Sequence, residues 1–139
     1  MATTLMALIG CGGAPLSLIQ LRDRAGAICH AADRRLTAIP PPATPAGTRR
    51  FLSAGLAAMT PEVQHLRRLS ASKDASDVYR DAVQATSAEL ADVRRAVAAL
   101  RAGAGPVSTL RGLQAQLAPL ENQADGAWQA LEVPAWLSR

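Results

Sequence analysis

The sequence predicts an all-α fold: an up-down-up-down antiparallel four-helix bundle with a short unstructured or signal-like N-terminus. Four stretches carry apolar residues at three- and four-residue steps, which places those residues on one face of a helix. A proline-rich linker, a short polar loop of residues 70–73 and a glycine-rich turn separate the four stretches. Hydrophobic residues make up 49% of the chain but aromatic residues only 3%, a balance that favours helices over strands.

The first predicted helix covers residues 17–39 and stops at three consecutive prolines, which cannot donate helical hydrogen bonds. The second covers residues 48–69 and contains Pro61. Thr60-Pro61-Glu62 is typical of an N-cap, a first-turn proline and an acid near the positive helix end. The sequence therefore leaves two alternatives for this stretch, one kinked helix or two abutting helices.

The third predicted helix covers residues 74–101 and has the most regular apolar seam, with steps that alternate between four and three. Glycines and a proline in residues 102–106 end it. The fourth covers residues 107–131, and Pro119 is expected to bend it. Because four antiparallel helices return the chain to its starting end, the two termini should lie together.

The N-terminal residues 1–10 carry no charged side chain and lead into Leu8-Ile9-Gly10-Cys11, which resembles a bacterial lipobox. That resemblance implies a signal peptide within residues 1–11 that ends at the lipobox cysteine, and a tether of residues 12–16. Cys11 would be acylated, the peptide before it removed, and Cys11 left as the first residue of the mature protein. The bundle would then span 17–133 and a C-terminal tail 134–139. No Lys or Arg precedes Cys11, although secretion signals normally begin with positive charge. The alternative is that residues 1–11 are a frayed apolar start of helix one.

By overall pattern, most of the chain resembles small extracytoplasmic helical lipoproteins of high-GC actinobacteria. Four short matches carry the resemblance: the Leu-Ile-Gly-Cys box, Ala27-Ile28-Cys29, Ile39-Pro40, and Leu117-Ala118-Pro119-Leu120 leading to Trp128. It implies a lipid-anchored protein on the outer face of the cell membrane. It also implies a second cysteine after the final proline, able to pair with Cys29. Ala135-Trp136 stands there instead, so the disulfide that the resemblance implies is absent.

Charge is distributed unevenly along the sequence, with a net charge of +4. Residues 1–70 carry eight arginines against three acids, and residues 71–139 carry seven basic residues against eight acids. Near the proposed anchor, Arg22 and Arg24 are candidates for contact with anionic lipid headgroups. Trp136 and Leu137 are candidates for the membrane interface, and the alternative is that they plug the end of the bundle.

The recurring arginine pairs, such as Arg49-Arg50 and Arg94-Arg95, flank the apolar seams and do not form a stripe. No aromatic residues interleave with them, so we expect an ordinary charged surface and no nucleic acid partner.

A polar layer is predicted at mid-bundle, where Cys29, Pro61, Thr86 and Pro119 should lie at similar height. Each proline frees the carbonyl four residues before it, and Thr86 is the hydroxyl in the third seam. We expect this layer to be loosened and able to admit water or a small ligand. The alternative is two kinks whose polar groups are satisfied locally.

Catalytic and cofactor patterns are weak in this sequence. Cys29-His30 lacks the first cysteine of a haem-attachment motif. Glu62-x-x-His65 has di-iron spacing, but in one copy only, so a solvated helix face is the expected role. We expect a membrane-tethered, non-catalytic binding module without a cofactor or metal, whose partner is membrane lipid and an unidentified protein or small molecule. The alternatives are a cytosolic basic bundle that binds an acidic macromolecule and a metal- or haem-binding bundle.

Overall fold

The computed structural model describes residues 13–133. Within this range it contains four α-helices: α1 (Leu18–Thr37), α2 (Thr48–Arg68), α3 (Ser76–Arg101) and α4 (Pro106–Ala130). A short 3₁₀ turn, Pro45–Gly47, precedes α2. Helix α3 packs against both α2 and α4, and α1 packs against α2. The predicted four-helix bundle is confirmed, and each helix begins and ends within two residues of its predicted bounds.

Helix α1 begins with a capping box. The Ser17 hydroxyl accepts from the Gln20 backbone N–H, and the Gln20 side-chain oxygen accepts from the Ser17 N–H. This pair satisfies two N–H groups that a helix N-terminus leaves open. Just before it, the Leu16 N–H donates to the Ser70 carbonyl over 2.7 Å, and the Ser72 N–H donates to the Leu16 carbonyl over 2.9 Å. The last residue of the predicted tether is therefore bonded to the loop between α2 and α3.

Helix α2 continues through Pro61 as one helix, so the alternative of two abutting helices is wrong. The interpretation of Thr60 as an N-cap is also wrong, because its hydroxyl donates to the Leu56 carbonyl over 2.7 Å inside the helix. A hydroxyl bonded one turn back is common within helices that bend. Helix α4 likewise continues through Pro119. The sequence predicted a kink or a break at Pro61 and a bend at Pro119, and the structure has one continuous helix at each position.

Helices α3 and α4 end in the same type of cap. After α3, Gly103 adopts a φ of 93° and its N–H donates to the Leu100 carbonyl. After α4, Glu132 adopts a φ of 55°, its N–H donates to the Gln129 carbonyl, and the Val133 N–H donates to the Trp128 carbonyl. This is a Schellman cap, which normally uses glycine at the left-handed position. Gly103 follows that preference and Glu132 does not.

The buried apolar side chains form two clusters. We call the end of the bundle that holds residues 13–17 and 131–133 the proximal end, and the opposite end the distal end. The proximal core comprises Leu21, Ala25, Cys29, Leu66, Ala75, Tyr79, Ala82, Ala85, Ala124, Trp128, Leu131 and Val133. The distal core comprises Leu52, Val93, Ala96, Val97, Leu100 and Leu113. Between the two cores, α2 and α3 bury the polar side chains Glu62, Thr86, Glu89 and Asp92.

No helix within residues 13–133 combines the length and the hydropathy that a membrane crossing requires.

Candidate functional site

The distal half of the bundle carries a concentration of arginines. Antiparallel packing brings together the end of α1, the start of α2, the end of α3 and the start of α4. Eight arginines lie on these segments and all eight are exposed: Arg34, Arg35, Arg49, Arg50, Arg94, Arg95, Arg101 and Arg111. We call this set the arginine end. Its members come from four helices, so they are scattered in the sequence, and the fold brings their segments to one end of the bundle.

Acidic side chains do little to offset this charge at the surface. The same segments contain three acids, of which Asp33 is partly buried and Glu89 and Asp92 are buried. Asp92 forms an ion pair with Arg95. The other seven arginines are exposed to solvent. Like charges on one surface add their fields, so the arginine end attracts anions.

The proximal half has the opposite balance. It carries six basic residues against eight acids among the described residues, most of them exposed. Among the described residues, four large hydrophobic side chains are exposed, and three of them lie here, namely Leu18, Ile19 and Val78, with Ile19 70% exposed. The fourth, Val107, lies at the start of α4. The two ends of the bundle therefore differ in both charge and exposed apolar surface.

Of the residues predicted to face a membrane, two lie within the described structure, and their surroundings differ. Arg22 donates from Nε to the Leu131 carbonyl over 2.7 Å and pairs with Glu132 over 2.6 Å, so it closes the end of α4. Arg24 is exposed. Trp136 and Leu137 lie outside the described residues, as does the predicted lipidation site Cys11. Contact of any of these residues with lipid stays a prediction.

Of the four residues predicted to form a polar layer, two are buried in the bundle and two are not. Thr86 is fully buried, and its hydroxyl donates to the Ala82 carbonyl over 2.9 Å and accepts from the Trp128 indole N–H over 3.2 Å. Cys29 is also fully buried, in the proximal core. Pro61 is half-buried and Pro119 exposed. Thr86 thus acts as the acceptor for a buried tryptophan, and entry of water or ligand at this level stays a prediction.

Glu62 corrects an interpretation from the sequence. It was expected on a solvated face, but it is 0% exposed, whereas His65 is exposed. Buried with it on α3 are Glu89, 7% exposed, and Asp92. Sequence reasoning missed both, because their spacing on α3 also fits a charged helix flank. Carboxyl groups at this depth must be hydrogen-bonded, paired or protonated. No group of three His, Cys, Asp or Glu residues suited to a metal occurs within residues 13–133.

Tyr79 and Trp128 form an aromatic pair in the proximal core. Their ring centroids are 5.9 Å apart with the planes at 79°, an edge-to-face contact. The Tyr79 hydroxyl donates to the Leu66 carbonyl over 2.6 Å, which joins α3 to the end of α2. Burial raises the pKa of Tyr79 well above its ordinary value, and Cys29 nearby raises it further. The phenol is therefore a structural donor at neutral pH.

Arginine side chains line several surface cavities of the described structure, two of them beside α2. A groove of about 590 Å³ between α2 and α3 near the proximal end contains Arg67 and Arg80. A cavity of about 480 Å³ at the distal end lies between the proline linker, residues 40–42, and α2, and is lined by Phe51 and Arg50. Neither cavity was evident in the sequence, because each is formed by residues distant in the chain or by a loop.

Comparisons with protein-family models, with curated proteins and with solved structures found no match to this chain. The functional interpretation therefore depends on the geometry of the described residues.

Proposed function

We propose that this protein is a non-catalytic binding module that holds an acidic protein partner on its arginine end. The observation that carries the proposal is the exposure of eight arginines from four helices at one end of the bundle, with one partly buried acid and two buried ones beside them. Arginine suits carboxylate partners because its planar guanidinium donates two parallel hydrogen bonds.

The choice of an acidic protein over nucleic acid follows from the residue types at this end. Proteins that bind single strands interleave aromatic side chains with basic ones, so that bases can stack. Phe51 is the aromatic residue of the distal half within the described structure, and it is half-buried against the distal core. The arginine end therefore offers charge and hydrogen bonds but little stacking surface.

We further propose that the module is a lipoprotein tethered to the outer face of the cell membrane through an acylated Cys11. The opposite character of the two ends supports this orientation, because residue 13 enters the bundle beside the exposed Leu18 and Ile19. Helix α3 has 26 residues, about 39 Å at 1.5 Å per residue. The arginine end would stand several Debye lengths of about 8 Å from the lipid headgroups, and would remain available to a partner.

The cytosolic alternative uses the same arginine end, so the two hypotheses differ in the location of the protein in the cell and not in its binding surface. Incorporation of labelled palmitate by the expressed protein, compared with Cys11→Ser, separates them. Labelling that disappears in Cys11→Ser supports the tether. An unlabelled protein that stays in the cytosolic fraction would leave the acidic-partner function in place and remove the membrane address.

The binding function is tested with labelled poly-glutamate as an acidic probe. A distal variant with Arg49, Arg50 and Arg94 changed to Gln is compared with a proximal variant with Arg24, Arg68 and Lys73 changed to Gln. Both variants lose three positive charges, so they have the same net charge. We expect the distal variant to lose at least about tenfold in affinity and the proximal variant less than about threefold, with binding of the parent protein weakening as salt increases.

Equal losses in the two variants would mean that net charge alone drives binding, and would contradict the proposal. An oligonucleotide of equal charge is the second probe. Tighter binding to the oligonucleotide than to poly-glutamate would replace the acidic protein with nucleic acid as the partner.

A further inference from the structure

The groove between α2 and α3 combines an apolar floor with a basic rim. It has a volume of about 590 Å³ and lies beside the loop that holds Leu16. This volume falls within the usual range of about 300–1,000 Å³ for small-molecule sites. Such sites are mostly apolar with a few polar groups that fix the orientation of the ligand.

The floor of the groove is formed by the proximal core. Leu66 and Tyr79 are buried members of that core, and Leu69, Ala71 and Val83 pack against it. The Tyr79 hydroxyl is already bonded to the Leu66 carbonyl, so it does not require a polar atom from a ligand. An apolar chain on this floor would extend the contacts of the core and remove apolar surface from water.

Arg67 is positioned by a side chain across the groove. Its Nε donates to the Ser87 hydroxyl over 3.2 Å, and that hydroxyl donates to the Val83 carbonyl over 2.6 Å. The bond fixes one edge of the guanidinium against α3. No further bond from Arg67 to another described residue accompanies it, so the terminal N–H groups remain available to an oxyanion.

Arg80 supplies a second guanidinium on the α3 side. It pairs with Asp77 over 3.0 Å, with side chains 67% and 81% exposed. A pair as exposed as this is weak and exchanges readily with another anion. Two guanidinium groups above an apolar floor match a molecule that carries an oxyanion on one end and a hydrocarbon chain on the other.

We propose that this groove binds a single-chain amphipathic anion, an alkyl or acyl chain that ends in a phosphate or carboxylate, with Arg67 and Arg80 on the oxyanion and the chain on Leu66 and Val83. The site is separate from the arginine end and does not depend on the function proposed for it.

Dodecyl phosphate, titrated below its micellar concentration into the full chain with Trp136→Phe, is the test. In this background the remaining tryptophan is Trp128, whose ring contacts Tyr79 in the floor. We expect saturable one-to-one binding that changes the Trp128 fluorescence. Arg67→Gln and Arg80→Gln should each weaken binding about tenfold. The matched control Arg68→Gln, an exposed neighbour that does not line the groove, should leave it unchanged.

Three further probes can overturn the proposal. Dodecyl maltoside, which has the same chain and no charge, should bind at least tenfold more weakly, and equal binding would remove the role of the arginines. Inorganic phosphate alone should not bind measurably, and binding as tight as that of dodecyl phosphate would remove the role of the floor. Binding only to phosphatidylglycerol vesicles, and not to the monomeric amphiphile, would indicate membrane contact. The distal Arg49, Arg50 and Arg94 variant should bind normally.

Discussion

At the scale of single residues, burial decides which polar groups matter. Tyr79 is the only tyrosine in the chain, so its titration is visible without interference from others. Its pKa is raised because ionisation would place a charge in the proximal core. Trp128 is fully buried, and its indole N–H donates to Thr86. Both side chains belong to one cluster, and each gives a direct test of how tightly that cluster is packed.

The alkaline stability of the protein should depend on Tyr79. Because its pKa is higher in the folded than in the unfolded state, its contribution is fully present below the ordinary value of 10.0 and is lost progressively as pH rises above it. We expect the unfolding free energy to fall in this range and tyrosinate absorbance to appear together with unfolding. Tyr79→Phe should remove that component and cost about 1 kcal/mol at neutral pH through the lost hydrogen bond. Ionisation near pH 10 in a chain that stays folded would contradict this.

Thr86→Val tests the buried contact with Trp128. Valine fills similar space but cannot accept the indole N–H, so we expect a loss of about 1–3 kcal/mol in unfolding free energy. The matched control is Thr86→Ser, which keeps the hydroxyl and should lose less. Denaturant unfolding measures both variants. A Val variant as stable as the parent would show that the Trp128 N–H does not need Thr86.

Glu132 adopts a backbone conformation that normally favours glycine. Its φ of 55° lies in the left-handed region, which costs a non-glycine residue about 1 kcal/mol. Glu132→Gly should therefore raise the unfolding free energy by about 0.5–1 kcal/mol. Glu132→Ala removes the exposed pair with Arg22 but keeps the Cβ, and should leave stability unchanged or slightly lower. The idea fails if Gly and Ala behave alike.

At the scale of helices, the sequence predicted that the four helices exist and where they begin and end. It did not predict whether α2 continues through Pro61. Periodicity predicted four helices, and the glycines and the proline of residues 102–106 predicted where α3 ends, because apolar spacing and helix stop signals are local features. Whether Pro61 interrupts α2 depends on the packing of residues before and after it, and not on the neighbouring sequence alone. A proline inside a helix removes one hydrogen bond, yet Val63 and Leu66 beyond it are buried with Leu52 before it. Burial along one face on both sides of the proline holds α2 together.

Pro61→Ala tests whether that continuity is maintained against a local cost. Alanine restores an N–H donor and removes the ring, so we expect α2 to gain about 1–3 kcal/mol in unfolding free energy. Pro106→Ala is the control, because Pro106 is the first residue of α4, where proline is well tolerated. That variant should change stability by less than about 0.5 kcal/mol. A less stable Pro61→Ala would indicate that the bundle requires the local geometry the proline imposes.

At the scale of the whole molecule, topology creates features that no stretch of sequence contains. The sequence shows an N-terminal half richer in arginine, but the fold divides charge between its ends, since α1 and α2 each contribute basic residues to both. The buried Glu62 and Glu89 were missed for a similar reason. On its own helix, each lies beside the apolar stripe, where a charged residue is normally exposed. Only the packing of α2 on α3 shows that these positions are buried. The candidate site thus required the tertiary structure, while the fold class did not.

The distribution of charge between the two ends is tested most directly by mapping a bound acidic probe onto the labelled protein. Poly-glutamate is titrated into the ¹⁵N-labelled chain at low salt, and the backbone amide shifts are followed residue by residue. The arginine end predicts changes concentrated around Arg34, Arg49, Arg94 and Arg111, with residues near Arg24 and Lys73 unaffected. Shifts spread evenly over both ends, or concentrated near residues 18–24, would contradict the assignment of the distal end as the binding surface.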